Sequence, residues 1–202
     1  MKGTPIFEEV FVNLIRQPGI WLKLLIGGLL SFIPVVNIFA LGYLFRFSRK
    51  VRRTGDIQLP EWTDWKAMFF DGLRFLVVWI AYWMLPLFLV SLLSSLLFSL
   101  EVGMFAYLVF SAAFLVLPVL FASALYRFQM RSDFRDLLDI NLIFKMAYLE
   151  FPKFLIPSIV FVGMFALLLP IYGVAIFAGF LTIIAFTTLS YRRLEYSESV
   201  SF

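Results

Sequence analysis

Residues 75–126 read FLVVWIAYWMLPLFLVSLLSSLLFSLEVGMFAYLVFSAAFLVLPVLFASALY, and Glu101 is the one acidic or basic side chain among them. As helices, Phe75–Ser99 and Gly103–Tyr126 are each about 36 Å long, against an apolar bilayer core of about 30 Å. Each is long enough to cross with some tilt. Leu100, Glu101 and Val102 leave room between them only for a tight turn, so this stretch predicts a membrane hairpin.

The whole chain agrees with that reading. Of its 202 residues 62% are apolar and only 15% are charged, where a soluble domain carries roughly a quarter charged. The mean hydropathy is +0.96, and an all-α integral membrane protein forming a single membrane domain over 1–202 is expected. Cys and His are both absent. Their absence removes thiol nucleophiles, disulfides, the usual zinc and haem ligand sets, and the imidazole that serves most acid–base catalysis, so no cofactor, metal site or catalytic residue is expected. The net charge is +4, but the Lys and Arg residues flank the apolar runs. Membrane lipid, not nucleic acid, is the partner that this placement predicts.

Upstream, Ile20–Phe47 is apolar apart from Lys23 near its start, Asn37 beyond Pro34 and Arg46 at its end. One helix of that length would span roughly 42 Å, so the stretch reads as a first hairpin with its tip at Ile33–Asn37. Pro34 removes a backbone donor and disfavours helix at Ile33, and Asn37 can bond the freed groups. Each arm is only roughly 20 Å long, which leaves a re-entrant hairpin or one kinked span open. Residues 4–17 form an amphipathic helix in which Thr4 caps, Pro5 sits in the first turn, and Ile6, Phe7, Val10, Phe11, Leu14 and Ile15 share a face. An interfacial position suits it, and a partner-docking helix would look the same. Glu8 and Glu9 lie where a signal peptide has its apolar core, so no cleaved segment is expected.

The connection 48–74 is basic at its start and carries LPEWTDW, Leu59–Trp65. Trp62 and Trp65 read as interfacial anchors or as a substrate-facing pair, with Thr63 as a helix cap. The carboxylates Asp56, Glu61, Asp64 and Asp71 read as solvated charge pairs with the neighbouring cations. Downstream, the connection 127–153 predicts a membrane-lying helix starting at Ser132. The uncharged stretch 154–191 is divided at Pro170-Ile171-Tyr172-Gly173 into a third hairpin.

About six short transmembrane or re-entrant helices in three hairpins, plus amphipathic interfacial helices, put all 17 Lys and Arg on one side and Glu101 alone on the other. A single first span would move Lys2, Arg16 and Lys23 across, so the positive-inside bias favours the hairpins with both termini cytoplasmic. No ionisable side chain lies in mid-membrane. Lys23 and Arg74 sit near segment ends, where long side chains snorkel, and a proton relay lacks its parts. Ser91, Ser95 and Ser99, like Ala175 and Gly179, have the spacing that lets helices approach closely. Pro86 and Pro118 are candidate kinks.

Residues 33–76 carry a further pattern: Ile33, Pro34 and Asn37; Gly42, Tyr43 and Arg46; Gly55 and Asp56; Leu59–Trp62, Asp64 and Trp65; then Phe70, Gly72 and Leu73. These resemble the IPxxN, GYxxR, GDxxLPEWxDW and FxGL signatures of an uncharacterised prokaryotic membrane family, domain of unknown function 4013. The resemblance implies residence in a prokaryotic cytoplasmic (inner) membrane and transfers no catalytic or binding residue. The function expected is a non-enzymatic membrane subunit or scaffold. It would dock another membrane protein or a second copy through its helices or through a cytoplasmic belt with Trp62, Trp65, Asp64 and Glu61 as docking residues and Pro34 and Asn37 as hairpin tip. A small carrier, channel or lipid-translocating protein is the alternative.

Overall fold

Hydropathy marks where a helix leaves the apolar phase, not where its hydrogen bonding stops. The element boundaries depart from the expected ones for that reason. The computed structural model describes residues 7–131, 133–167 and 171–197. Thr4, Pro5, Ile6, Ser132 and Pro170 lie outside the described residues. In chain order the α-helices are α1 (Phe7–Ile15), α2 (Ile20–Phe32), α3 (Asn37–Thr54), α4 (Trp65–Trp79), α5 (Leu85–Ser99), α6 (Gly103–Arg131), α7 (Ile140–Leu167) and α8 (Tyr172–Ser197).

In place of a connection starting at residue 48, α3 runs through the basic segment to Thr54 and stops at Gly55. That glycine takes the left-handed conformation (φ 81°), and its N–H bonds the Val51 carbonyl at 2.8 Å. Likewise α4 begins ten residues before Phe75, and α7 carries the end of the expected 127–153 connection and the first arm of the third hairpin in one helix. Six short segments are therefore not what the helix lengths give. Among the described residues three runs are long and apolar enough to cross a membrane, Trp65–Ser99, Gly103–Met130 and Tyr172–Glu195, and Ile20–Phe32 is a shorter apolar helix.

The run Trp65–Ser99 contains a π-helical turn, Ile80–Met84, after which the Leu85 N–H reaches the Ile80 carbonyl five residues back. The widened turn lies just ahead of Pro86, whose ring would press on the carbonyl four residues earlier in a regular helix. Pro118 is housed inside α6.

Contacts gather the chain into two compact units, one made of the chain up to Leu76 with that from Ile156 onward, the other of Val77–Leu155. In the second unit α5 and α6 are antiparallel. Their turn is closed by the Glu101 N–H on the Phe98 carbonyl and the Val102 N–H on the Leu97 carbonyl, with Glu101 in the left-handed region (φ 60°). The seam is made by Ser94, which is buried and donates to the Ala106 carbonyl at 3.3 Å. Ser91, Ser95 and Ser99 instead bond carbonyls of their own helix, and Ser95 and Ser99 are exposed, so the expected stripe is not the packing seam.

In the first unit α2 lies antiparallel to α8, with Gly28 against Val174 and Phe32 edge-on to Tyr172 at 4.5 Å. Between α2 and α3, Ile33 is extended, as a residue before proline prefers, and Val35 has φ 72°. The Asn37 N–H closes this turn on the Ile33 carbonyl at 2.9 Å. Alongside α8, α3 runs parallel, with Tyr43 near Phe177 at 5.7 Å and the Ser48 and Thr188 hydroxyls 3.0 Å apart. The apolar face of α1 is covered: Val10 and Leu14 are buried, and Phe7 meets Phe186 edge-on at 5.6 Å. Finally α3 and α4 are antiparallel and very close. A Cβ at Gly42 would lie 2.0 Å from the Met68 carbonyl oxygen, and one at Gly72 would lie 2.0 Å from that of Ile38.

Gly42→Ala and Gly72→Ala are each expected to lower stability by about 1–3 kcal/mol, because two backbones must part to admit a methyl group. Thermal unfolding in detergent checks this, with Gly163→Ala, whose Cβ would meet open space, expected to match the wild type.

Candidate functional site

The loop from Gly55 to Asp64 folds back onto α2, α3 and α8. Thr54 Oγ1 accepts the Asp56 N–H at 3.1 Å, Ile57 and Leu59 are buried, and the Tyr43 hydroxyl donates to the Pro60 carbonyl at 3.0 Å. Lys23 is buried and donates to Glu61 Oε1 at 2.6 Å, on the exposed side of the loop. Trp62 stacks on Tyr43 at 4.2 Å and lies 6.2 Å from Phe177, and its Nε1 is buried without an acceptor. Asp64, at φ 55°, caps α4 by accepting the Ala67 N–H at 3.2 Å, the role expected of Thr63. Trp65 stays 46% exposed, edge-on to Phe39 at 5.5 Å. The two indoles stack on each other at 5.9 Å, with Trp62 half-buried against Tyr43 and Phe177 and Trp65 facing outward.

The close approach of α3 and α4 builds a second feature beside this loop. The Asp71 side chain is only 4% exposed. Its Oδ2 accepts from Arg46 Nε and Arg49 Nη2, each at 3.1 Å, and its Oδ1 accepts from Arg74 Nη1 at 2.9 Å. Arg46 also donates to the Thr63 and Asp64 carbonyls at 2.8 and 3.1 Å, and Asp64 Oδ2 is 3.6 Å away. Arg49 lies over the Phe45 ring at 5.5 Å. These groups, with Ala67 and Phe70, line an open cleft of about 620 Å³. Its three guanidinium and two carboxylate groups leave one net positive charge.

This corrects the reading of Asp71 as solvated, since its carboxylate is buried among three guanidiniums, that of Arg74 one helical turn away among them. The sequence signal for the cluster is two i,i+3 pairs, Arg46 with Arg49 and Asp71 with Arg74. Only the helix register shows that they face each other. The hairpin-tip residues Pro34 and Asn37 lie away from this loop, in the turn between α2 and α3. Among the described residues no three Asp or Glu side chains converge to hold a metal ion.

The expected polar connection 127–153 is also less solvated than its composition suggests. Arg127 and Asp136 are both buried and 3.3 Å apart, and the Tyr82 hydroxyl donates to the Leu137 carbonyl. Glu150 is fully buried. Lys153 Nζ donates to its Oε1 at 2.7 Å and Oε2 has no partner. Burial pushes the Glu150 carboxyl above its usual value, and Lys153 offsets this only in part.

These features define a multi-pass α-helical membrane protein with a polar belt on α3, α4 and the loop joining them. The chain belongs to the prokaryotic membrane family described as Protein of unknown function (DUF4013), whose model matches residues 26–178. No curated protein and no solved structure matches it.

A carboxyl raised in the folded state favours folding below its unfolded pKa, and that contribution is lost as pH rises through the folded value. Glu150→Gln should therefore leave the melting temperature unchanged near pH 4 and raise it progressively toward pH 8. Melting curves of both proteins across that range test the sign.

Proposed function

We propose that this protein is a non-enzymatic membrane subunit that docks a protein partner at the outer face of the start of α4. The observation that carries the reading is the exposure of Trp65 and Lys66 there, while the neighbouring Trp62 is half-buried against Tyr43. A half-exposed indole beside a cation is the composition of an interface anchor. A non-enzymatic role is supported by the fate of the carboxylates, since Glu61, Asp64 and Asp71 are all held by cations. The partner is another membrane protein or a second copy of this chain.

The proposed arrangement is three hairpins in the inner membrane, with both termini and the belt on the cytoplasmic side. The distribution of Lys and Arg supports it. So does the antiparallel pairing of α2 with α8, which sets the α2–α3 turn beside the start of α8. Cysteines at Thr54 and Lys66 should be labelled from the cytoplasm and one at Glu101 from the opposite side. Labelling of all three from one side would overturn the topology.

A photo-crosslinking amino acid at Trp65 should give a discrete protein adduct in the native membrane. At Leu92, on the lipid-exposed face of α5, it should give none. An adduct at twice the chain's own mass identifies a second copy. Solute or lipid transport by the isolated protein in liposomes, with no adduct at Trp65, would replace this reading with that of a carrier.

A further inference from the structure

The cleft between α3 and α4 has more hydrogen-bond donors than its own acceptors can use. A guanidinium carries five N–H donors in a fixed fork. Arg46 is the anchored member, bonded to Asp71 and to two backbone carbonyls. Arg49 and Arg74 each give one N–H to Asp71, and their remaining donors face a cleft in which their side chains are 31% and 44% exposed. The two carboxylates have little left to offer. Asp71 already accepts three charged hydrogen bonds, and Asp64 is engaged with Arg46 and with the α4 N-terminus.

An added anion has to bridge two guanidinium forks at once. A carboxylate presents two oxygens in one plane and saturates one fork, whereas a phosphodiester sets two anionic oxygens and two weaker ester oxygens in a tetrahedral array and can reach both. Phe70 is half-exposed in the same cleft, one helical turn before Arg74. Beyond Arg74, the run Trp65–Ser99 continues as an apolar helix long enough to cross the bilayer. The cleft is therefore at the polar end of a spanning helix, the level at which lipid headgroups lie.

We infer that Arg49 and Arg74, held in place by Asp71 and Arg46, form a binding site for the phosphate of an anionic phospholipid, with Phe70 against the start of its apolar tail. Zwitterionic lipids carry the same phosphate, but their cationic headgroup meets the net positive charge of the cleft. The site goes beyond the docking reading and does not depend on a protein at Trp65.

The test uses the full-length protein, delipidated in an uncharged detergent. Phosphatidylglycerol or phosphatidylcholine is titrated in, with retention read by native mass spectrometry and melting temperature in parallel. Phosphatidylglycerol should bind roughly tenfold more tightly than phosphatidylcholine, whose choline cation is repelled by the net positive charge of the cleft. Arg49→Gln and Arg74→Gln, made singly so that Asp71 keeps two cations, should each remove most of that preference while melting like the wild type in detergent alone. Equal retention of both lipids by the wild-type protein would overturn the site. So would an unchanged preference in both variants. Stabilisation by inorganic phosphate with no discrimination between the lipids would also overturn the lipid assignment, and would assign the cleft to a soluble phosphate.

Discussion

The carbonyl oxygens of Met68 and Ile38 occupy the space where side chains would begin at Gly42 and Gly72, and the rest of the belt depends on that approach. Two helices in such contact have one register. It sets Arg46 and Arg49 of α3 across from Asp71 and Arg74 of α4, and brings the Thr63 and Asp64 carbonyls within reach of Arg46. A carboxylate buried as Asp71 is costs several kcal/mol in lost hydration unless it is paired. Three guanidiniums offset that cost, and the carboxylate in turn lets three like charges share one cleft.

The loop after α3 is fastened by a different kind of interaction at almost every residue. Gly55 is under the Arg192 side chain, where any Cβ would collide. Leu59 fills the core, Pro60 offers its carbonyl to Tyr43, Glu61 holds Lys23, and Trp62 stacks on Tyr43 and Trp65 beside Phe177. These contacts tie the loop to α2, α3 and α8, while Trp65 and Phe70 beyond it keep a large exposed surface.

What was legible in the sequence follows from the range of the physics involved. The tight turn at Leu100–Val102 and the break at Pro34 are local events, visible in a few residues. Helix ends in charged segments are less visible, because a charged side chain leaves the apolar phase without breaking a backbone hydrogen bond. For that reason α3 continues to Thr54 and α7 spans the expected boundary at residue 154. The Asp71 cluster was hidden because each half looks like an ordinary surface i,i+3 pair until the α3–α4 register is known. Trp62 and Trp65 look alike in one dimension, and only the position of Tyr43 distinguishes them.

The division of the chain has a consequence for its synthesis. The unit holding α5 and α6 is continuous in sequence, whereas the other is assembled from the chain before Val77 and the chain after Leu155. At about 5–20 residues per second, roughly 7–30 s separate the emergence of Gly28 from that of Val174, its packing partner. Through that interval the faces of α2 and α3 that will meet α8 rest against lipid or the insertion machinery. The α5–α6 hairpin is complete meanwhile, so the unit that is continuous in sequence can mature first and the discontinuous one closes only when the last helix arrives.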